Sequence, residues 1–437
     1  MRCSISLLPT LFERGLCPKS HAYSGYTQND EAAAISFNYN IGRSEPRTDF
    51  GQSPQSRTCR RLRDTPSLLL RCEMRSRSVL SAIAVVALTG CVTLPPPLLS
   101  SCSQGGAPPI AISIDGRTAS TTFDVLTYNI EGLAWPARGK RGASLRKIAA
   151  RLADLRRTGK APDIVMVQEM FSRTAVRSMT NIGYANVVTG PTRTQSKRLP
   201  AAQPMPGPYN RRRGEVGFHA VNSGLAIFSR FPISYTLSEP YGVHRCAGFD
   251  CLSNKGMLFA RLAIPNVPVA IDLVNTHLNS QGASRVAPVR HLQAHGVQTS
   301  ELEAFLVRNG NANAAMILGG DFNMKDSPER FGQFQSVSNR MTLVHEWCSR
   351  QRLFCDVQMS WDGDAPWMDT QDLQLFRAPR DTILAPVRVQ AMFDGAAGDP
   401  RLSDHDGFLV TYRLTWNVNG SKSGISDAPP ARPCPSH

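Results

Sequence analysis

The 437-residue sequence has no apolar run of about 18 residues, which argues against a helix that spans a bilayer. Its eleven cysteines include no CxxC pair, so a structural zinc module is not indicated. No internal repeat recurs along the chain. Acidic residues are the minority: 34 Asp and Glu stand against 49 Lys and Arg, a net charge of +15. The balance stays positive when residues 1–90 are set aside. That favours anionic partners, such as nucleic acid or a phospholipid surface, and says nothing about fold. With 41% apolar and 19% charged residues, the composition is globular rather than disordered or fibrous.

Residues 1–73 lack sustained periodicity and are rich in Arg, Ser, Pro and Asn. They are expected to be disordered, or to be translated from an upstream start. Then Met74, Arg75 and Arg77 precede the apolar run Val79–Leu88, which ends in Leu88-Thr89-Gly90-Cys91. A basic segment, a short apolar stretch and a small residue before the cut form a secretory signal over 74–90. Leu-Thr-Gly-Cys resembles the lipobox of bacterial lipoproteins. The resemblance implies a true start at Met74, lipidation of Cys91, and an exported protein held by a lipid anchor in the cell envelope, at the outer membrane or its periplasmic face. Residues 91–120, with Pro95-Pro96-Pro97 and Gly105-Gly106, are expected to be a tether. Export permits disulfides, and Cys246 with Cys251 and Cys348 with Cys355 are close enough to pair.

Residues 121–415 alternate apolar runs of strand type with helical stretches. Strands are expected over 122–129, 163–168, 224–229, 257–262, 269–276, 315–319 and 408–414. In a helix over 144–157, Leu145, Ile148, Ala149, Leu152 and Leu155 share one face. A second helix over 290–308 turns Leu292, Leu302, Phe305 and Leu306 inward. Two packed mixed sheets flanked by helices, in one domain, follow from this pattern. Segment 190–215, rich in Pro and Arg, reads as a basic loop. Arg211-Arg212-Arg213 reads as a solvated part of it rather than a binding patch. The polar tail 416–437 is expected to fray.

One feature recurs: apolar strands run into carboxylate, amide or imidazole groups. Asn129, Gln168-Glu169, Thr276-His277-Leu278-Asn279 and Gly320-Asp321-Phe322-Asn323 each follow such a run, and Ser403-Asp404-His405-Asp406 precedes the last one. Strand ends lie along a common sheet edge, so these groups can converge on one cleft. Together they supply what hydrolysis at phosphorus needs. Carboxylates hold a hard cation such as Mg²⁺, which offsets charge on phosphoryl oxygens, while a base and an acid serve the water and the leaving oxygen. Gly319-Gly320 allows close backbone approach just before Asp321.

In these residues the chain resembles the endonuclease/exonuclease/phosphatase superfamily, which includes deoxyribonuclease I-like nucleases and neutral sphingomyelinases. The resemblance is carried by Tyr128-Asn129, Gln168-Glu169, Ser223 to Arg230, Gly319 to Asn323 and Ser403-Asp404-His405, in family order. It implies a four-layer α/β sandwich with the site at the sheet edge. It implies Glu169 as principal Mg²⁺ ligand, with Asn129 and Asp404 in the metal and phosphate shell. Asp321 would orient or deprotonate the attacking water, and Asn323 would bind a phosphate oxygen. His405 would contact phosphate or act as base, and His277 would assist the leaving group. Whether Asp321 or His405 takes the proton stays open.

Asn254-Lys255-Gly256 and Thr276-His277-Leu278 look more like the sphingomyelinase-type branch. The expected activity is therefore a Mg²⁺-dependent phosphodiesterase, with phospholipid as substrate at the envelope. A nuclease cleaving DNA or RNA is the alternative, since phosphate contacts dominate nucleic-acid affinity. A non-catalytic binding module of the same fold is the third option. Trp361 and Trp367 are expected in the core rather than in a membrane-entry hairpin. Asp372-Leu373-Gln374-Leu375-Phe376 fits the family's Asp-x-Ile strand only loosely, which leaves the carboxylate partner of His405 unassigned.

Overall fold

The computed structural model describes residues 92, 94–134, 137–197, 205, 207–360, 365–419 and 432–434. The upstream segment 1–73, the signal 74–90, Cys91 and Trp361 lie outside them. In chain order the strands are β1 (Cys102–Ser103), β2 (Ala111–Ile112), β3 (Thr118–Asn129), β4 (Ile164–Gln168), β5 (Asn186–Thr189), β6 (Ala226–Ser229), β7 (Ile233–Pro240) and β8 (Gly256–Leu262). They continue with β9 (Ile271–His277), β10 (Ala315–Asp321), β11 (Thr342–Leu343), β12 (Asp356–Gln358), β13 (Asp372–Arg377), β14 (Thr382–Met392), β15 (Gly407–Asn417) and β16 (Arg432–Pro433). The helices are α1 (Arg141–Arg157), α2 (Arg173–Thr180), α3 (Pro288–Asn309), α4 (Pro328–Ser338) and α5 (Val344–Arg350).

Two mixed sheets carry the fold. One runs β12-β14-β15-β3-β4-β6-β5, with β2 against β3; the other runs β11-β13-β10-β9-β8-β7. Each contains a central parallel pair, β3 with β4 and β9 with β10. A parallel pair needs a long crossover, and α1 and α3 supply the two. Three apolar seams follow. Val125, Ile164, Met166 and Ile227 of the first sheet meet Leu258, Leu273, Ile317 and Phe376 of the second. The outer face of the first sheet, with Leu126, Val165 and Val167, packs on Leu145, Ile148 and Leu152 of α1 and Met179 of α2. The outer face of the second, with Phe259, Val274 and Leu318, packs on Leu302 and Phe305 of α3 and Phe334 of α4. Strands covered on both faces lose their polar alternation, which is why β4, β9 and β10 read as continuous apolar runs. The four-layer α/β sandwich is thus present. Trp367 packs, partly buried, against the outer seam of the second sheet.

Two buried amide bridges cross the seam between the sheets. Gln168 donates to Asn275 Oδ1 at 2.7 Å, and Asn275 donates to the carbonyls of Val167 and Ala226 at 3.0 Å. Gln374 donates to the carbonyls of Val125 and Phe408 and accepts from the Tyr412 hydroxyl at 3.0 Å. Such polar contacts tolerate little sliding, because a displaced amide would be buried without a partner. They hold the ends of both parallel pairs level.

Two expectations need correction. Within the segment read as a tether, Leu98 is bridged to Val187, β2 pairs with β3, and the Arg230 guanidinium donates to the carbonyls of Gln104 and Gly106. The tail is also held: β15 continues to Asn417, β16 pairs with β1, and Cys434 is joined to Cys102. Composition pointed to loose chain in both places because their partners lie far away in sequence. The local pairs Cys246–Cys251 and Cys348–Cys355 are formed.

Candidate active site

Strand direction places the polar groups. β3, β4, β9 and β10 all run toward the same rim, and their last residues stand in register: Asn129 opposite Gln168, and Asp321 opposite His277. β13 is antiparallel to β10, so its first residue, Asp372, pairs with Asp321 at that rim. Gly319 and Gly320 are required there. A Cβ on Gly319 would lie 2.7 Å from Thr127 Oγ1, and one on Gly320 only 2.1 Å from the Thr276 carbonyl oxygen. Glu169 and Asn323 leave their strands with φ of 61° and 52°, a left-handed conformation unusual for residues with side chains and frequent at functional sites. Gly224 explains the sequence element around it, because a Cβ at that position would lie 3.0 Å from Glu169 Cα.

Asn129 joins the two carboxylates, its Nδ2 donating to Asp321 Oδ2 at 2.9 Å and to Glu169 Oε1 at 3.2 Å. Asp321 Oδ1 accepts from the Asn323 backbone N–H, and the Asn323 amide donates to the Leu278 carbonyl. His277 Nε2 lies 3.3 Å from Asp321 Oδ2 and accepts from Lys255 Nζ at 2.9 Å. Lys255 also reaches Asp250 at 3.3 Å and the Leu278 carbonyl. His405 Nδ1 donates to Asp372 Oδ2 at 2.5 Å, while its Nε2 faces Asp321 Oδ2 at 3.9 Å and the Gln371 amide at 3.2 Å. Ser403 ties this segment to the first sheet by donating to the Asn129 carbonyl.

The electrostatics follow from crowding. Glu169 is partly exposed, yet the protein packed around its carboxyl group raises its pKa to about 7, against the opposing hydrogen bond from Asn129. Burial and the Lys255 cation hold His277 neutral, well below the ordinary imidazole range. Burial also opposes charge on His405, but Asp372 and then Asp321 outweigh it and lift the ring well above its ordinary value. Asp372 is itself raised by burial.

Glu169, His277 and Asp321 each bring a ligand atom within 4.8 Å of the other two, and their chemistry suits a divalent cation. The one lone pair of His277 Nε2 is engaged by Lys255, so the carboxylates of Glu169 and Asp321 are the groups left to hold a cation. His277 Nδ1 is buried without a hydrogen-bond partner among the described residues.

The structure brings together Asn129, Glu169, His277, Asp321, Asn323 and His405 of the residues expected from sequence. Asp404 stands outside the three-residue group: it is half-exposed, bonded to Arg138 at 3.0 Å, and 3.9 Å from His405 Nε2. Asp372, Lys255 and Gln371 were not foreseen as site residues. Asp372 opens its strand and Lys255 precedes its own, whereas Asn129, Glu169, His277 and Asp321 end or follow theirs.

Among curated proteins, none matches the chain. Solved structures with a similar fold include a beta-toxin mutant of Staphylococcus aureus with bound magnesium ions (17% identity, TM-score 0.46, covering 66% of this chain and 99% of that one). Sphingomyelinase C from Streptomyces griseocarneus is similar at 17% identity and TM-score 0.45, over 66% of this chain and 99% of its own. D. rerio TDP2 complexed with a single-strand DNA product is similar at 14% identity and TM-score 0.43, over 67% and 98%. These are likenesses of fold. The sequence match spans residues 126–405, from the strand that ends in Asn129 to His405 itself, and on that span the chain belongs to the Endonuclease/Exonuclease/phosphatase family.

Proposed function

We propose that the protein is a divalent-metal-dependent phosphodiesterase acting on a phospholipid head group at the cell envelope. The observation that carries the catalytic reading is the single rim on which Glu169, Asp321 and His277 face the Asp372–His405 pair. Glu169 and Asp321 would hold a divalent cation such as Mg²⁺, which would supply positive charge against the phosphoryl oxygens. His405, kept cationic by Asp372, is suited to grip a non-bridging oxygen and unsuited to accept a proton. That leaves Asp321 to orient the attacking water and draw its proton. The oxygen–hydrogen bond of water breaks as a new phosphorus–oxygen bond forms, the ester bond to the leaving group opens, and the departing oxygen takes up a proton from solvent while Asp321 returns the one it drew. Asn129 keeps the two carboxylates apart and aligned, and Asn323 is placed to meet a phosphate oxygen. Envelope location rests on the lipobox-like Cys91; Cys91→Ala is expected to release the protein from membranes on fractionation.

The test is a panel of a soluble diester, a choline phospholipid and plasmid DNA, each with Mg²⁺ and with EDTA. Metal-dependent release of a phosphorylated head group supports the reading. Cleavage of DNA alone moves the assignment to nuclease, and inertness toward all three refutes catalysis.

A further inference from the structure

Strand polarity puts three loops on the rim that carries the site: 190–225, 241–255 and 278–287. Their described parts are packed into one surface. Tyr209 stacks on His244 with ring centroids 4.1 Å apart, and the Arg213 guanidinium lies 5.9 Å from the Phe249 ring centroid. Glu215, buried, accepts from the Gly248 backbone N–H at 2.9 Å and from Arg290 at 2.7 Å. A Cβ on Gly248 would lie 1.9 Å from the Ser284 carbonyl oxygen, so the second and third loops touch at their backbones. The disulfide Cys246–Cys251 closes the middle loop. The surface borders the site: Asp250, next to Phe249, holds Lys255, which bonds His277.

What this surface presents is neither a core nor an ordinary polar face. Phe218 and Val289 are each 62% exposed, Val243 45%, Phe249 42% and Tyr209 39%. The same segments carry exposed Arg211, Arg212, Arg213 and Arg285, and Arg213 lies over the Phe249 ring. The neighbouring acids do not offset them, because Glu215 and Asp250 are turned inward onto Arg290 and Lys255. Apolar and aromatic side chains set among arginines match the depth profile of an anionic bilayer surface, with rings and branched chains in the head-group zone and guanidinium groups on phosphates. Single-stranded nucleic acid fits less well. Base stacking needs open ring faces, whereas Tyr209 and Phe249 each have one face taken, and the exposed valines have no ring to stack.

We propose that the described parts of these three loops, with the first turn of α3, are an interfacial docking surface that seats the protein on an anionic phospholipid layer, with the catalytic rim turned toward it. This rests on the phosphodiesterase reading for its purpose but not for its test. Full-length protein carrying Cys91→Ala, so that no anchor contributes, is sedimented with vesicles of phosphatidylcholine or of phosphatidylcholine with 30% phosphatidylglycerol, in EDTA. Binding is expected to the anionic vesicles and to weaken with salt. Arg211→Gln/Arg212→Gln/Arg213→Gln should reduce it roughly a hundredfold, at about fivefold for each positive charge removed. Phe218→Ser/Val289→Ser should reduce it by about tenfold without changing the salt dependence. Turnover of a soluble diester by either variant should stay within about twofold of its parent, which also reports an intact fold. Equal sedimentation with both vesicle types, or binding that neither variant weakens, overturns the proposal. So does tighter binding to a single-stranded oligonucleotide that the arginine variant abolishes while vesicles stay unbound. An inert parent that still docks would refute the catalytic reading and leave the surface standing.

Discussion

Replacing Asp372 by Asn isolates the role of the His405 charge. Asp372 is buried and accepts from His405 Nδ1, and it is the main group lifting that ring's pKa against burial. Without the carboxylate charge, burial regains the upper hand and only the more distant Asp321 supports the cation. A ring titrating near its ordinary value of about 6.5 is only about 3% charged at pH 8. If a cationic His405 stabilises the phosphoryl oxygens, the variant should lose about 2–4 kcal/mol of transition-state stabilisation at pH 8, or roughly 30- to 1000-fold in kcat/KM. Part of the loss should return as the pH falls toward 6 and the ring regains its proton. The assay is a pH–rate profile with a soluble phosphodiester, paired with NMR titration of the His405 ring in the metal-free protein. The wild-type ring should stay protonated throughout the neutral range, and the variant's should titrate. Equal profiles for the two proteins, or a wild-type ring that deprotonates near pH 6.5, would refute the assignment and return His405 to the role of base.

Glu169→Gln should abolish metal-dependent turnover and leave the fold intact, as read by circular dichroism. The raised pKa of Glu169 has a second consequence: the folded state binds this proton more tightly than the unfolded chain, so metal-free stability should fall as the pH rises from about 4.5 to about 7. Glu169→Gln should therefore stabilise the metal-free protein at pH 7.5 by about 1–2 kcal/mol in urea melts, the shift being discounted for partial exposure. Divalent-ion binding at pH 7 should release protons, which calorimetry in two buffers of different ionisation enthalpy detects. Gly320→Ala should cost about 2–3 kcal/mol, because the backbone oxygen of Thr276 has nowhere to move. Arg330, fully buried, donates to the carbonyls of Asn279, Ser280 and Asn323 in the loops leaving β9 and β10. Arg330→Met should destabilise by about 2–4 kcal/mol in urea melts by leaving those carbonyls unpaired.

The legible part of the site was the part built on parallel strands. There an apolar run feeds straight into Asn129, Glu169, His277 or Asp321, and the change from apolar to polar is visible without any knowledge of pairing. Asp372 is the mirror case. Its strand starts at the rim and runs away from it, so its carboxylate precedes the run and looks like the end of a loop. Lys255, just before β8, was quoted in a motif but given no role for the same reason. The layer order was legible because β4, β9 and β10 are buried on both faces. β7, buried only at its two ends along Ile233–Pro240, and β14, interrupted by Pro386 at a register shift, carry no such signature. Contacts that span hundreds of residues, such as Gln374 with Val125, leave no local trace.

The bond between Cys102 and Cys434 joins positions 332 residues apart and turns nearly the whole folded domain into a covalent ring. A ring opened once by a protease is still one molecule. A nick in a surface loop therefore shortens no sheet and releases no fragment, and separation needs either a second cut or a reductant. If the protein is exported, as proposed, that bond would convert a protease's first hit from a loss into a scar.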